Sequence, residues 1–171
     1  MKIRIAQKND IPDLVSIDRR AYGKYGADEK YFIQKLSSPN TRILAVENKG
    51  KITGFAVFEI LNKDEIPKDF TDLKLNKQFE NSWVHIIAFT TETNFLDINS
   101  DSKLVTAIED MAKNMGVATF CIPLNIDHPF TKNDVFSFWK KNGYENVGTI
   151  KWIASPRELI NCYFYKKTTS V

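Results

Sequence analysis

The spacing of apolar residues over the first 40 positions predicts one strand followed by two helices. Apolar and polar residues alternate over 3–6, as in a half-buried strand. Apolar residues then recur at helical spacing from 11 to 22, and Asn9 or Asp10 precedes this run with a side chain that caps helix starts. A second helix is predicted to begin at Asp28 and to end at the Ser-Ser-Pro run that follows it.

A hairpin, a charged excursion and a strongly apolar strand are predicted next. Strand-like runs at 42–47 and 52–60 flank a polar turn that contains Gly50, which is typical of a β-hairpin. Residues 62–81 are charged with scattered apolar positions, and we interpret them as an excursion between strands rather than a linker between domains. The run 82–91 is apolar, which indicates a central strand covered on both faces.

The C-terminal part of the chain predicts two helices, each closed by a glycine and followed by a strand. Glycine just past a helix adopts the left-handed conformation without a Cβ clash, and Gly116 and Gly143 stand at these positions. The elements predicted here are a helix from Asp101 or Ser102 to Met115, a strand at 117–124, a helix at about 133–142, and strands at 146–154 and 160–167. The element order is therefore β-α-α-β-β-β-α-β-α-β-β, an α/β arrangement in one domain that spans 1–171.

Composition narrows the class of protein further. At 171 residues the chain is long enough to bury a core, and 43% hydrophobic with 26% charged residues is typical of a soluble globular protein. A net charge of +3 without a basic cluster argues against nucleic acid as a partner. No apolar run has the length of a signal peptide or a membrane span, so we expect a cytoplasmic protein without membrane association.

The cysteines and histidines have no metal-binding spacing. Cys121 and Cys162 lie in apolar, strand-like runs without CxxC spacing, so we expect buried, reduced thiols. His128 lies in a loop without neighbouring ligands of suitable spacing. We therefore expect no metal site.

The strongest motif in the C-terminal half is the run FWKKNGY at 138–144, a helix end closed by glycine and followed by an aromatic residue. This run and the element order resemble the GNAT superfamily of acetyltransferases over nearly the whole chain. The resemblance implies a central mixed sheet flanked by helices, with acetyl-CoA as co-substrate and no metal. It also implies transfer of an acetyl group to a primary amine of a small molecule or peptide, by a monomer or a homodimer.

The resemblance further implies where acetyl-CoA is held. In the superfamily the fourth strand leads through a loop of pattern Arg/Gln-x-x-Gly-x-Gly/Ala into the third helix, whose first N–H groups hold the pyrophosphate. The pattern positions fall here on Leu96, Asn99 and Asp101, and all three depart from the pattern. Leu96 has no donor for a phosphate, and the Asp101 carboxylate is expected to repel one by roughly 1–4 kcal/mol.

The residues that the resemblance assigns to cofactor binding lie on the fourth strand, at the start of the third helix and before the last helix. They are Ala88, Phe89, Thr90, Asn99, Ser100, Asp101, Ser102, Lys103 and Asn133. Asn99 tolerates a left-handed backbone, and Ser100 and Ser102 offer hydroxyl donors. The alternative interpretation of 99–102 is a capped helix start, where Asp is favoured by the same dipole that attracts phosphate.

The resemblance places the group that assists the leaving thiolate on the last helix. Family members commonly carry a Tyr where this chain has Trp139. An indole N–H donates a hydrogen bond but does not give up its proton at physiological pH. Proton donation therefore requires a substitute, for which Tyr144, Tyr163 and Tyr165 are the candidates.

The candidate general base is His85, on the strand that lines the substrate channel in some family members. A neutral imidazole there accepts the amine proton directly or through water. By alternation His85, Ile87 and Phe89 are expected to share one face. Glu92, just beyond the strand, is an alternate base, and the competing interpretation of His85 is a structural, hydrogen-bonded histidine.

The acceptor end is predicted at the break between the first two helices. Its candidate wall is aromatic and its candidate amine-binding groups are acidic. They are Tyr22, Tyr25, Tyr31 and Phe32, with Asp28 and Glu29. The alternative is that the aromatic side chains pack onto the sheet.

Three functions stay open at the level of the sequence. The first is a divergent N-acetyltransferase. The second is a non-catalytic binding or regulatory module of the same fold with impaired or absent CoA binding, for which Leu96, Asp101 and Trp139 argue together. The third is an interaction role in which 62–81 forms a partner surface.

Overall fold

The computed structural model describes residues 1–71, 79–154 and 158–170. The strands are β1 (Lys2–Ile5), β2 (Thr41–Asn48), β3 (Lys51–Leu61), β4 (Trp83–Thr91), β5 (Thr119–Asn125), β6 (Glu145–Ala154) and β7 (Glu158–Thr168). The helices are α1 (Ile11–Tyr22), α2 (Glu29–Ser37), α3 (Ile98–Lys113) and α4 (Val135–Lys141). Within these residues the strands form a seven-stranded sheet of order β1-β2-β3-β4-β5-β7-β6. Neighbouring strands are antiparallel except for β4 and β5, which are parallel, so the predicted mixed sheet is confirmed.

The predicted element order is confirmed, with two shifted helix starts. Helix α3 begins at Ile98, three residues before the earlier of its predicted starts. Helix α4 begins at Val135, later than predicted, because Asp134 adopts a left-handed conformation (φ 57°) after a short 3-10 turn. Residues 72–78 of the excursion at 62–81 lie outside the described residues.

Local sequence signals fix several of the helix ends. The Asp28 carboxylate accepts a hydrogen bond from the Tyr31 N–H at 2.8 Å and so caps α2 as predicted. Gly116 and Gly143 have φ values of 78° and 85°, the left-handed conformation that the sequence predicts after α3 and α4. These ends need no tertiary contact to be specified, which is why they are readable from the sequence.

The sheet is covered on both faces by helices. Helices α1 and α2 pack on one face, where Leu14 and Phe32 are fully buried against β3. Helices α3 and α4 cover the other face, where Leu104 and Phe138 join a larger hydrophobic cluster. The central strand β4 is therefore buried from both sides, as its apolar sequence predicts.

A β-bulge interrupts β4. The pairing of β3 with β4 skips Ile87. Ile86 and Phe89 both pack in the cluster under α3 and α4, while Ile87 packs against the cluster under α1 and α2. The predicted shared face of His85, Ile87 and Phe89 is therefore wrong, because the extra residue moves Phe89 to the opposite face.

Asp69, Phe70 and Thr71 of the excursion lie along the outer edge of β6. The Thr71 N–H donates to the Lys151 carbonyl at 3.0 Å, and the Ile153 N–H donates to the Asp69 carbonyl at 2.8 Å. Phe70, between these two hydrogen bonds, is buried in a third hydrophobic cluster beneath β6 and β7. This part of the excursion therefore belongs to the body of the protein.

Candidate active site

Strands β4 and β5 pair over three positions and then diverge. The pairs are Trp83–Thr119, Val84–Phe120 and His85–Cys121. Strand β4 continues to Thr91 and β5 to Asn125, and within the described residues no further pair joins them. We call the space between 86–91 and 122–125 the wedge. The side of β4 that faces it has backbone groups without a strand partner.

A continuous group of aromatic side chains lies beside the open end of the wedge, and we call it the aromatic cluster. Its members are Tyr22, Phe89, Phe95, His128, Phe130, Phe138, Trp139 and Tyr144. The ring centroids of Phe95 and Phe130 are 6.0 Å apart, and those of Tyr22 and Phe130 are 5.6 Å apart. These contacts join α1, the loop before α3 and the loop before α4, so the three segments close over this end of the sheet.

The Asp101 carboxylate occupies the loop between β4 and α3. The Thr93 hydroxyl lies 2.7 Å from both carboxylate oxygens, and the Phe95 N–H donates to Oδ2 at 3.1 Å. Asn94 and Phe95 have left-handed backbone conformations (φ 48° and 69°), which curl the loop around the carboxylate. Burial raises the pKa of Asp101, and these hydrogen bonds oppose that rise. Asp101 is thus an internal anchor of the loop.

The start of α3 has the capped form of the alternative interpretation. The Asp97 carboxylate accepts a hydrogen bond from the Ser100 N–H at 3.1 Å. Asn99 lies exposed in the first helical turn and does not use a left-handed backbone. Further along the helix, Ser102 is half-buried and Lys103 is exposed. Two carboxylates therefore stand where the resemblance implies a diphosphate.

Trp139 and Tyr144 are buried beside each other at the end of α4. Their ring centroids are 5.0 Å apart, and each residue is at most 1% exposed. The Trp139 Nε1–H has no hydrogen-bond partner among the described residues. Burial, with the nearby Glu109 carboxylate, raises the pKa of Tyr144 far above its usual range. Tyr144 is therefore a poor proton donor in this state of the protein.

His85 forms a cross-strand pair with Glu59. The two residues are register partners on β4 and β3, and His85 Nδ1 lies 3.0 Å from Glu59 Oε1. Burial lowers the pKa of His85, and the contact with Glu59 opposes this. The His85 Nε2 is buried without a partner among the described residues. Sequence reasoning missed Glu59, although a lone carboxylate in the apolar strand β3 is a signal.

Asp18 is a second buried carboxylate that sequence reasoning missed. It accepts hydrogen bonds from the Ala27 N–H at 2.7 Å and from the Thr90 hydroxyl at 2.9 Å. Burial raises the pKa of Asp18. The link ties the turn between α1 and α2 to β4 beside the wedge. Ala88, predicted with Thr90 for cofactor binding, is half-buried on the face of α1 and α2.

The predicted acceptor residues are not gathered into one pocket. Tyr22 packs in the aromatic cluster, whereas Tyr25 is 64% exposed with the Lys24 ammonium 4.9 Å from its ring centroid. Asp28 caps α2, and Glu29 is exposed in the first turn of that helix. Their role in binding an amine stays a prediction. The side chain of Asn133 lies outside what the structure describes.

A shallow cavity of about 390 Å³ lies between α1 and the loop after β4, lined by Ile17, Arg20, Ala21, Glu92 and Asn94. Its rim carries an exposed ion pair between Arg20 and Glu92, at 2.7 Å, so Glu92 is engaged there. Among the described residues no three His, Cys, Asp or Glu side chains are grouped as a metal ion requires. The described ranges also contain no helix with the length and apolar character needed to cross a membrane.

The cysteines are buried and unpaired, as predicted. Burial raises the pKa of Cys121, and it raises the pKa of Cys162 to about 12. Thiols with such raised pKa values are largely protonated at neutral pH and react slowly. They therefore belong to the core.

The two histidines are expected to make stability fall in acid. Burial lowers the pKa of His85 and lowers that of His128 to about 4, while an unfolded histidine has a pKa near 6.5. Below about pH 6.5 the unfolded chain binds protons that the folded chain does not, so stability is complete above this pH and is lost below it. The raised pKa values of Asp18 and Asp101 have the opposite effect, because these folded carboxyl groups bind protons more readily than unfolded ones. This effect increases stability as the pH falls, at pH values nearer to the usual pKa of a carboxyl group.

Urea unfolding is expected to give a lower free energy at pH 5.5 than at pH 7.5, and His128, with a folded pKa of about 4, contributes roughly 1 kcal/mol of that difference. His128→Gln should remove the contribution of this residue and leave that of His85. Equal free energies at the two pH values would contradict the expectation.

Comparison with known proteins identifies the fold. No protein family and no curated protein matches the sequence. Among solved structures, Arabidopsis thaliana NAA60 in complex with a bisubstrate analogue is 12% identical with a TM-score of 0.74, covering 98% of this chain and 97% of that one.

Two further solved structures agree with this. The ribosomal-protein-S18-alanine N-acetyltransferase from Escherichia coli is 13% identical with a TM-score of 0.70, over 99% of this chain and 94% of that one. An aminoglycoside 6'-N-acetyltransferase complexed with coenzyme A is 14% identical with a TM-score of 0.67, over 98% and 97% of the two chains. The chain therefore has the fold of the GNAT acetyltransferases.

Proposed function

We propose that the chain is an N-acetyltransferase that moves an acetyl group from acetyl-CoA to a primary amine of a small molecule or peptide. The observation that carries the proposal is the wedge between β4 and β5. The amide-containing arm of acetyl-CoA is an extended chain, and such a chain binds to an unpaired strand by the same backbone hydrogen bonds as a neighbouring strand. Because unpaired buried backbone groups cost free energy, the wedge favours a ligand that pairs with β4 in this way.

The buried indole of Trp139 supports the same ligand. Its Nε1–H has no partner among the described residues, and buried donors without acceptors are rare in proteins. A bound thioester supplies an activated acetyl group and a sulfur leaving group. The Trp139 N–H is suited to donate a hydrogen bond to the leaving sulfur, and the indole keeps its proton throughout the reaction.

His85 is the proposed acceptor of the amine proton. Burial lowers its pKa, so the imidazole is neutral at pH 7 and has a lone pair on one ring nitrogen. A neutral amine is required for attack on a carbonyl, and a positioned base removes the proton that the product amide must lose. We also propose that the exposed carboxylates of Asp28 and Glu29 attract the cationic amine substrate.

A second candidate is a binding or regulatory module of this fold that does not hold acetyl-CoA in the usual manner. The loop before α3 does not fit a diphosphate in its present form, because Asp101 takes the Phe95 N–H and Asp97 takes the Ser100 N–H. The aromatic cluster also packs the loop before α3 against the loop before α4, with the rings of Phe95 and Phe130 6.0 Å apart. These contacts favour a protein in which catalysis has been lost.

Calorimetric titration with acetyl-CoA separates the two candidates. Saturable binding, with release of free thiol on addition of an amine panel, is expected for the enzyme. Leu96→Arg should raise the affinity about tenfold, because it returns a cation to the loop and Leu96 is 74% exposed.

The matched control is Met115→Arg, which adds the same charge at a 51% exposed residue beyond the other end of α3. It is expected to leave the affinity unchanged. No binding of acetyl-CoA at millimolar concentration by the unmodified protein would overturn the proposal. Binding that appears only in Leu96→Arg would favour the second candidate.

A further inference from the structure

We infer that Glu59 is the positioning residue for the acceptor half of the reaction, because it holds His85 as the tautomer whose lone pair is on Nε2. The inference rests on the proposed function, which makes His85 the base. Glu59 lies on β3, a strand that contributes neither to the motif at 138–144 nor to the wedge. Glu59 acts through His85 and does not itself touch the amine.

The direction of the hydrogen bond follows from the chemistry of the carboxylate. Burial alone would raise the pKa of Glu59, but the hydrogen bond from His85 and the charge of Lys35 lower it overall. An ionised carboxylate accepts hydrogen bonds and donates none. In the contact of 3.0 Å between His85 Nδ1 and Glu59 Oε1 the imidazole is therefore the donor. A neutral imidazole with a proton on Nδ1 carries its lone pair on Nε2.

The Nε2 atom is ready to accept a proton but has no partner in the described part of the chain. It is buried, and the ring of Phe70 lies 5.0 Å from the imidazole, centroid to centroid, in an edge contact. Buried acceptors without donors are uncommon and costly. An amine that reaches Nε2 supplies the missing N–H. Because Nε2 is covered, this approach requires a neighbouring side chain to move, and Phe70 is such a neighbour.

The charged and titratable groups around the pair come from four elements. They are Glu59 on β3, Lys35 and Tyr31 on α2, Asp69 in the excursion and Cys121 opposite His85 on β5. Lys35 lowers the pKa of His85, whereas Glu59 and Asp69 raise it. Removal of the Glu59 charge therefore lowers the pKa of His85 further and moves the acid limb of any pH profile to lower pH.

The tautomer can be measured without activity, because the chain has only two histidines. His128 Nδ1 accepts the Phe130 N–H at 3.1 Å, so His128 carries its proton on Nε2 and is an internal reference for the opposite tautomer. Nitrogen-15 NMR at pH 7.5 is expected to give one histidine of each kind, with His128→Gln removing the Nε2–H set. Two Nε2–H histidines would overturn the inference whatever the activity is.

Kinetics then test the role in the reaction. Glu59→Gln is expected to lower kcat for the amine at least about tenfold, with KM for acetyl-CoA unchanged, and to move the acid limb of kcat to lower pH. The matched control is Glu47→Gln. Glu47 lies on the neighbouring strand β2, and its carboxylate is paired with Arg4 of β1. An unchanged kcat and pH profile in Glu59→Gln would overturn the inference.

The failure of the proposed function has a different signature. If the unmodified protein neither binds acetyl-CoA nor releases thiol, the enzymatic proposal falls, and the catalytic part of this inference falls with it. The NMR result would still decide whether His85 carries its proton on Nδ1, as the contact with Glu59 requires.

Discussion

Trp139→Ala is expected to lower the free energy of unfolding by about 3–5 kcal/mol. Trp139 is 0% exposed, and its ring centroid lies 5.2 Å from that of Phe89, 5.3 Å from that of Phe138 and 5.0 Å from that of Tyr144. Alanine removes the indole from the centre of these rings, and the surrounding side chains close such a cavity only in part. Urea unfolding at pH 7.5 measures the loss.

The matched variant is Trp139→Phe, which keeps an aromatic ring and removes the indole N–H. Because that N–H is buried without a partner among the described residues, its removal eliminates an unsatisfied donor and offsets part of the lost volume. The expected change is below about 1.5 kcal/mol. A loss as large as that of Trp139→Ala would show that the N–H makes a hydrogen bond in solution, and would contradict our account of the site.

Asp101→Ala is expected to lower the free energy of unfolding by about 2–4 kcal/mol and to raise the affinity for acetyl-CoA at least about tenfold. The loss of stability follows because the buried Phe95 N–H and the Thr93 hydroxyl lose their acceptor. The gain in affinity follows because a negative charge leaves the loop where the resemblance implies a diphosphate. The two effects have opposite signs, so one variant separates the structural from the ligand-related role of the carboxylate.

Two controls sharpen this experiment. Asp101→Asn keeps an acceptor oxygen for the same donors without the charge, so it should lose less stability than alanine and still gain affinity. Asp110→Ala removes an exposed carboxylate from the same helix and should change neither quantity. If Asp101→Ala loses stability but gains no affinity, the loop is not the diphosphate site, and the second candidate function gains support.

The parts of the fold that were predictable depend on local rules. Gly116, Gly143 and Asp28 end or cap helices through their own backbone freedom or side-chain reach, so the pattern of the sequence is sufficient to find them. The order of elements follows because each apolar run has the period of its own structure. The mixed sheet then follows from the resemblance carried by the run at 138–144.

The parts that were not predictable depend on partners that are distant along the chain. The bulge at Ile87 exists only in the register of β4 against β3, so alternation along β4 alone gives the wrong face for Phe89. The inward position of Asp101 follows from an earlier helix start, at Ile98, which puts the carboxylate against Thr93 instead of at the surface.

The candidate site was predictable only in part for the same reason. His85 is a candidate from the sequence because a histidine in an apolar strand is unusual, whereas Glu59 is recognised as its partner only once the pairing of the two strands is known. Asp18 and Thr90 are 72 positions apart and meet only in the folded chain. Polar pairs between elements that are distant along the chain are therefore the contacts that the sequence pattern alone does not predict.

The hydrogen bonds of Asp69 and Thr71 with β6 bear on the solubility of the protein. A strand at the margin of a sheet offers free N–H and C=O groups to any other chain that can extend beside it, which is a route to aggregation. Here the excursion occupies that position on β6, and the opposite margin is the four-residue strand β1. Deletion of the excursion would expose a long bare margin, so shortened versions of this protein are expected to self-associate through β6.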